Sequence, residues 1–256
     1  MKRILFCFPI LIAISFTSCS PGKMSVSSTL KENHDEYPVK GRNGVMINQR
    51  LSFGEFTTAK VKRSWTKGSS MQMGFMDVIW TSYEKKKQTF NFQLSDAAGN
   101  ISDVYCITKL QSQDLNFGSN PNNLFNIMTD LLKMGGYKSD NTFGVEIYRG
   151  KDEKPWQMFI DNISTQADPN NYTGFLALSP SEYYSITPVT KMEVNGKSGN
   201  TLLGSIGFEF KDAKGNAVAA VSTLDNGMVF LGKTTTEERF LLANACAALL
   251  LQEVID

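Results

Sequence analysis

The run from Phe240 to Leu251, FLLANACAALLL, sets the hardest condition on the fold. At helical spacing it is apolar on nearly every side, and Ala and Leu are strong helix formers. Such a helix has no solvent face, so the rest of the chain has to surround it. Twelve residues are too few to cross a bilayer, which takes about 20. Thr234-Thr235-Thr236 with Glu238 supplies a capping signature just before the run. Asn244, the one polar residue in its middle, requires a backbone partner inside a core. The chain has 256 residues, 41% hydrophobic and 20% charged, with a mean hydropathy of −0.21. That profile belongs to an ordinary folded protein, long enough to bury a core without disulfide help.

The shell reads as antiparallel β-structure. Thr89–Leu94 (TFNFQL), Ser205–Phe210 (SIGFEF) and much of Met71–Tyr83 alternate polar and apolar residues, the period of a strand with one buried face. Turn chemistry separates them at Asp96–Asn100, Asn195-Gly196, Asp212–Asn216 and Asp225-Asn226-Gly227. Two of these turns share the pattern Asp-Ala-x-Gly-Asn at an offset of 116 residues. At that offset Met76–Asn100 and Met192–Asn216 share eight identities in 25 positions. The same offset lays a helix expected at Pro121–Met134 onto one at Glu237–Leu250. Asn120 and Pro121 suit the start of the first helix and Gly135-Gly136 its end, and Leu124, Ile127, Met128 and Leu131 form one apolar stripe. The expected fold is therefore mainly β (α+β). It has antiparallel sheets or a barrel of about twelve strands from an internal duplication, and a buried C-terminal helix. The similar halves span about 53–137 and 169–256, in a single domain over 51–256.

The N-terminus has a different character. Lys2 and Arg3 precede an apolar stretch from Ile4 to Ile14, and Phe16-Thr17-Ser18 leads into Cys19. This is the layout of a secretory signal peptide over residues 1–18. It resembles the signal of bacterial lipoprotein precursors, with Phe where Leu is commoner. The resemblance implies that Cys19 becomes the acylated N-terminus. Ser20 rather than Asp after the cysteine then implies outer-membrane sorting within the cell envelope. Residues 19–50, rich in Ser, Lys, Gly and Asn, read as a flexible tether, with Val45-Met46-Ile47 as a candidate first strand. Of four cysteines, Cys7 leaves with the signal and Cys19 takes lipid, and Cys106 and Cys246 are expected as separate buried thiols.

The element order from Phe56 to Leu231, roughly twelve strands followed by the helix at Phe240–Leu251, resembles the tubby C-terminal, LURP-one and phospholipid-scramblase group. Members of that group close antiparallel barrels around a hydrophobic C-terminal helix. The likeness implies a barrel and carries no binding residue, because no basic phosphoinositide-binding position matches. Two sheet-plus-helix lobes facing across a pseudo-two-fold axis satisfy the same pattern.

Composition excludes several chemistries. His34 is the sole histidine and falls in the expected tether, so the folded part holds no Ser-His-Asp or Cys-His engine and no His-rich metal site. After signal removal 24 basic residues face 25 acidic ones, which gives no electrostatic reason to bind nucleic acid. Gly196-Lys-Ser-Gly199 lacks the spacing of a phosphate loop and reads as a hairpin turn. Lys151–Lys154 has too few acidic oxygens for a calcium loop. Asp161, Asp168, Glu182 and Glu193 are candidates for a carboxylate pair, and nothing in their spacing brings them together. Lys60-Val-Lys62-Arg63-Ser-Trp65-Thr-Lys67 alternates charge along a strand, as a solvated face or a positive strip would. Trp65, Trp80, Trp156, Tyr183 and Tyr184 suit sugar stacking or, more commonly, core and cross-strand packing. No catalytic residue, metal ligand or cofactor is expected. The expected function is a lipid-anchored envelope protein in a non-enzymatic binding or structural role, held to the membrane by acyl chains, its protein or glycan partner unknown. An apolar-ligand barrel and a carboxylate-dependent hydrolase are the alternatives.

Overall fold

Period-two alternation becomes a wall. The computed structural model describes residues 22–42, 49–59, 61–64, 88–110, 141–150, 152, 154–201 and 204–252. The signal, Cys19, Trp65, Trp80, Val45–Ile47 and the helix expected at Pro121–Met134 lie outside them. The strands are β1 (Lys23–Met24), β2 (His34–Pro38), β3 (Ser52–Phe53), β4 (Phe56–Thr58), β5 (Lys62–Ser64) and β6 (Gln88–Ser95). They continue with β7 (Ile101–Leu110), β8 (Thr142–Arg149), β9 (Trp156–Asp161), β10 (Gly174–Ser179) and β11 (Glu182–Val189). The last are β12 (Lys191–Val194), β13 (Lys197–Asn200), β14 (Gly207–Lys211), β15 (Ala217–Ser222) and β16 (Met228–Gly232). Helices α1 (Ser28–Lys31), α2 (Asn162–Ala167) and α3 (Thr236–Leu251) complete the described elements.

Twelve strands run in the order β2-β16-β15-β14-β11-β10-β9-β8-β7-β6-β4-β3, with β5 also paired to β6 and every neighbour antiparallel. The sheet curls into a nearly closed barrel. Its two edges meet where Lys40 and Ser52 exchange backbone hydrogen bonds of 2.9 and 3.0 Å. Beside this seam the Tyr37 ring packs on Gly54, which has φ +54° and no room for a Cβ. One continuous sheet therefore replaces the alternative of two facing lobes.

The matching turns fold alike. In each, the Asp carboxylate accepts the Asn backbone N–H, at 2.8 Å in both Asp96–Asn100 and Asp212–Asn216. Gly99 and Gly215 hold φ of 84° and 83°, which only glycine adopts without strain. Phe92 and Phe208, also 116 residues apart, both enter the core. The Met76–Lys87 part of the repeat lies outside the described residues.

Helix α3 fills the lumen. It touches β7 and β8 on one side and β15 and β16 on the other. Every residue from Phe240 to Leu251 is at most 4% exposed, Asn244 included. Asn244 Nδ2 donates to the Phe240 carbonyl at 2.7 Å, and Ser102 Oγ on β7 donates to Asn244 Oδ1 at 2.5 Å. Thr235 caps the helix by accepting from the Glu238 N–H. The Glu238 carboxylate turns to the Tyr184 hydroxyl at 2.8 Å. At the other end Arg42 donates to the Leu250 carbonyl and Arg63 to the Leu251 carbonyl, guanidinium groups meeting the negative end of the helix dipole.

The segment expected as a tether is corrected by the structure. Lys23 to Pro38 supplies β1, α1 and the barrel strand β2. Its composition is polar, but Met24, Leu30 and Val39 are spaced so that each reaches a buried position while the Ser, Lys and Glu residues between them face outward. Met24 and Leu30 join Val189, Ile206, Ala220 and Phe230 in a second apolar layer outside the barrel. His34 accordingly belongs to the fold. Its Nδ1 lies 2.7 Å from the Leu30 carbonyl and its ring 5.6 Å from that of Phe230. Cys106 and Cys246 are free and buried, as expected.

Candidate functional site

An antiparallel barrel has two rims, and α3 distinguishes them. At the rim where the helix begins, the Asp96–Asn100 turn, the β8–β9 connection and the first turn of α3 enclose a hollow of ≈530 Å³. Arg149 and Asp152 pair across its edge at 3.1 Å, and Glu237 and Phe240 close its inner side. Behind it, Trp156 packs at a tilt of 34° with its ring centre 5.8 Å from that of Tyr184, whose hydroxyl is engaged by Glu238. The Arg149 guanidinium lies 5.8 Å from the centre of the Trp156 ring. Trp156 Nε1 is buried with no hydrogen-bond partner among the described residues. Burial pushes the Tyr184 hydroxyl up, and the neighbouring Glu238 adds to it. That phenol therefore stays protonated at neutral pH and acts as a hydrogen-bond donor. The hollow offers an arginine paired with Asp152, backbone edges and the Phe240 side chain.

Three of the four candidate carboxylates are engaged in local structure. Asp161 caps α2, accepting from the Ile163 and Ser164 N–H groups at 2.9 and 3.0 Å. Asp168 accepts from the Asn171 side chain, and Glu182 stands exposed at the β10–β11 turn. Glu193 pairs with Lys31 at 3.0 Å on the β12 hairpin. Asp161, Asp168 and Glu193 thus have structural partners, whereas Glu182 faces solvent. Among the described residues no group of three or more His, Cys, Asp or Glu gathers as a metal site would require.

No protein-family model, curated protein or solved structure matches the chain. Site assignment therefore rests on the residues themselves. Of the aromatic candidates, Trp156 is buried, Tyr184 is half-buried against α3, and Tyr183 packs on Phe175 at 6.2 Å. They behave as packing and cross-strand residues. The basic strip divides: Lys62 is exposed, whereas Arg63 turns inward over Phe90 to reach the end of α3. Asn195 and Gly196 take φ of 50° and 74°, the hairpin turn expected around Gly196–Gly199. Gln49, Arg42 and Arg63 form a polar seal at the far rim that the sequence did not announce. Arg63 and Arg42 reach backbone carbonyls 188 and 208 residues away, and no local pattern records such a pairing.

Proposed function

We propose that the chain is a lipid-anchored cell-envelope protein whose helix-filled barrel serves a non-enzymatic binding or structural role. One observation carries the reading: the lumen is occupied by the protein's own α3, with Phe240–Leu251 buried throughout. A barrel carries an apolar ligand when its interior is left open. Here that space is packed with side chains, so ligand contact falls to the rims and the outer wall. The hollow beside Arg149 and Glu237 is a rim feature open to a protein or glycan group. Carboxylate-dependent hydrolysis needs two carboxyl groups sharing a cleft. Asp161, Asp168 and Glu193 serve a cap, a turn and an ion pair instead, and Glu182 is exposed at the start of β11. Strands followed by an enclosed apolar helix also support kinship with the tubby-like and scramblase group, without lending a lipid-head site.

Anchoring is supported by the signal pattern ending at Cys19, which points to outer-membrane sorting and attachment through acyl chains. Among the described residues no helix is long and apolar enough to cross a membrane. More than one chain on Cys19 makes such attachment stable, at ~0.8 kcal/mol per buried methylene. Metabolic labelling with palmitate tests it: the wild-type chain should take up label and the Cys19→Ala variant should not. Equal labelling of the two would overturn the anchor.

A further inference from the structure

We infer that the β12–β13 hairpin, together with β1, is the face that the protein lays on the membrane surface. The inference rests on acylation at Cys19 and adds to it an orientation. Gly22, the first described residue, sits against the hairpin: a Cβ placed on it would lie 3.1 Å from Val194 Cγ2. Lys23 and Met24 then pair with Glu193 and Met192. Cys19 is three residues before Gly22, and an extended chain advances at most about 3.6 Å per residue. Whatever path those residues take, the lipid-bearing cysteine stays within about 11 Å of Gly22, which itself packs against Met192 and Val194 of the hairpin. The long tether that would let the barrel tumble above the bilayer is not there, because residues 23–38 are built into the fold.

The hairpin suits that position. It leaves the barrel where β11 ends and β14 begins, the rim at which α3 finishes. Its outer strand β13 and its turn are exposed throughout, and Val194 at the turn is 39% exposed, one of few large apolar side chains left in solvent. Among the described residues Lys23, Lys31, Lys191 and Lys197 are exposed on and beside it; Glu193 is paired with Lys31, and Glu32 is exposed next to that lysine. Lysines beside an exposed valine, held close to an acylated cysteine, match a surface of anionic headgroups. The opposite rim, with the Asp212–Asn216 turn and the hollow beside Arg149, then points away from the bilayer by the length of α3. Sixteen helical residues span about 24 Å.

Purified acylated protein in vesicles of phosphatidylethanolamine and phosphatidylglycerol tests this. Val194→Cys, Lys197→Cys and Lys214→Cys variants each carry an environment-sensitive fluorophore. Cys106 and Cys246 are buried and leave the new thiol to be labelled. Brominated lipids read proximity, and flotation with the vesicles reads the anchor separately. Loss of fluorescence at 194 and 197, with none at 214, is the expected result. Flotation with equal loss at all three positions, or with none at any, overturns the orientation and leaves the anchor standing. Failure to float overturns acylation, and the orientation falls with it.

Discussion

Glu146 is a carboxyl group in an apolar setting. It sits on β8 between Val145 and Ile147, only 6% exposed, and accepts hydrogen bonds of 3.2 Å from both Tyr148 Oη and Gln157 Nε2. Burial raises its affinity for a proton, and the two hydrogen bonds only partly offset this. A carboxyl whose folded value is raised favours the folded state most at low pH. That contribution is lost as pH climbs from the ordinary carboxylate value through the raised one. Glu146→Gln, which keeps an accepting oxygen without the charge, should melt above wild type at neutral pH and close to it near pH 4. Melting curves at the two pH values check this, and a variant that melts lower at neutral pH contradicts it. Asn244 shows how far a single residue is legible. Its demand for a backbone partner followed from one polar side chain in an apolar run, and the Phe240 carbonyl meets it. Ser102 could not be foreseen, because it arrives from 142 residues away. His34 misled for the converse reason: its neighbours are polar, and what ties it into the fold is the pairing of β2 with β16 and the contacts of its ring with Leu30 and Phe230.

Helix α3 is the element that holds the others in place. Leu241, Cys246, Leu249 and Leu250 are all buried against the wall. Truncating a leucine there leaves a cavity in a close-packed interior, and Leu→Ala typically costs 2–5 kcal/mol. Leu249→Ala should therefore lower the melting point substantially, and Leu249→Asp should do nearly as much harm as removing the helix. Deleting Thr236–Asp256 should give aggregated or protease-sensitive protein, since Phe90, Val104 and Val229 would then line an empty lumen. A deletion variant with an unchanged cooperative melt would return the helix to the surface. The helix was readable because its character needs no partner to be recognised. Its caps were readable at one end only. Thr235 is adjacent in sequence to the turn it serves, whereas Arg42 and Arg63 come from 208 and 188 residues before the carbonyls they meet. The first helix of the duplicated pattern falls outside the described residues, so that comparison stops at the turns.

At the scale of the molecule, alternation and turn residues foretold an antiparallel wall, and an all-round apolar helix foretold that something must be enclosed. What local pattern could not carry was closure, since the Lys40–Ser52 bridge depends on two short edges meeting after ten other strands have paired. Nor could it carry the N-terminal wrap, which is held by a few apolar residues in polar surroundings. The two thiols report on the closed state as a whole. Cys106 lies in the wall and Cys246 on α3, both fully buried and both pushed up by burial. Neither should react with a soluble disulfide reagent in the native protein, and both should become reactive together across the denaturant transition. Reaction of Cys246 well before Cys106 would mean that the helix leaves the barrel without unfolding it. The order of the chain adds a matter of timing. Every described strand precedes α3, so synthesis delivers the staves before the piece they close upon. A chain stalled or clipped before residue 236 is an unfinished vessel with an oily interior, and it is in that interval that chaperones and proteases have their opportunity.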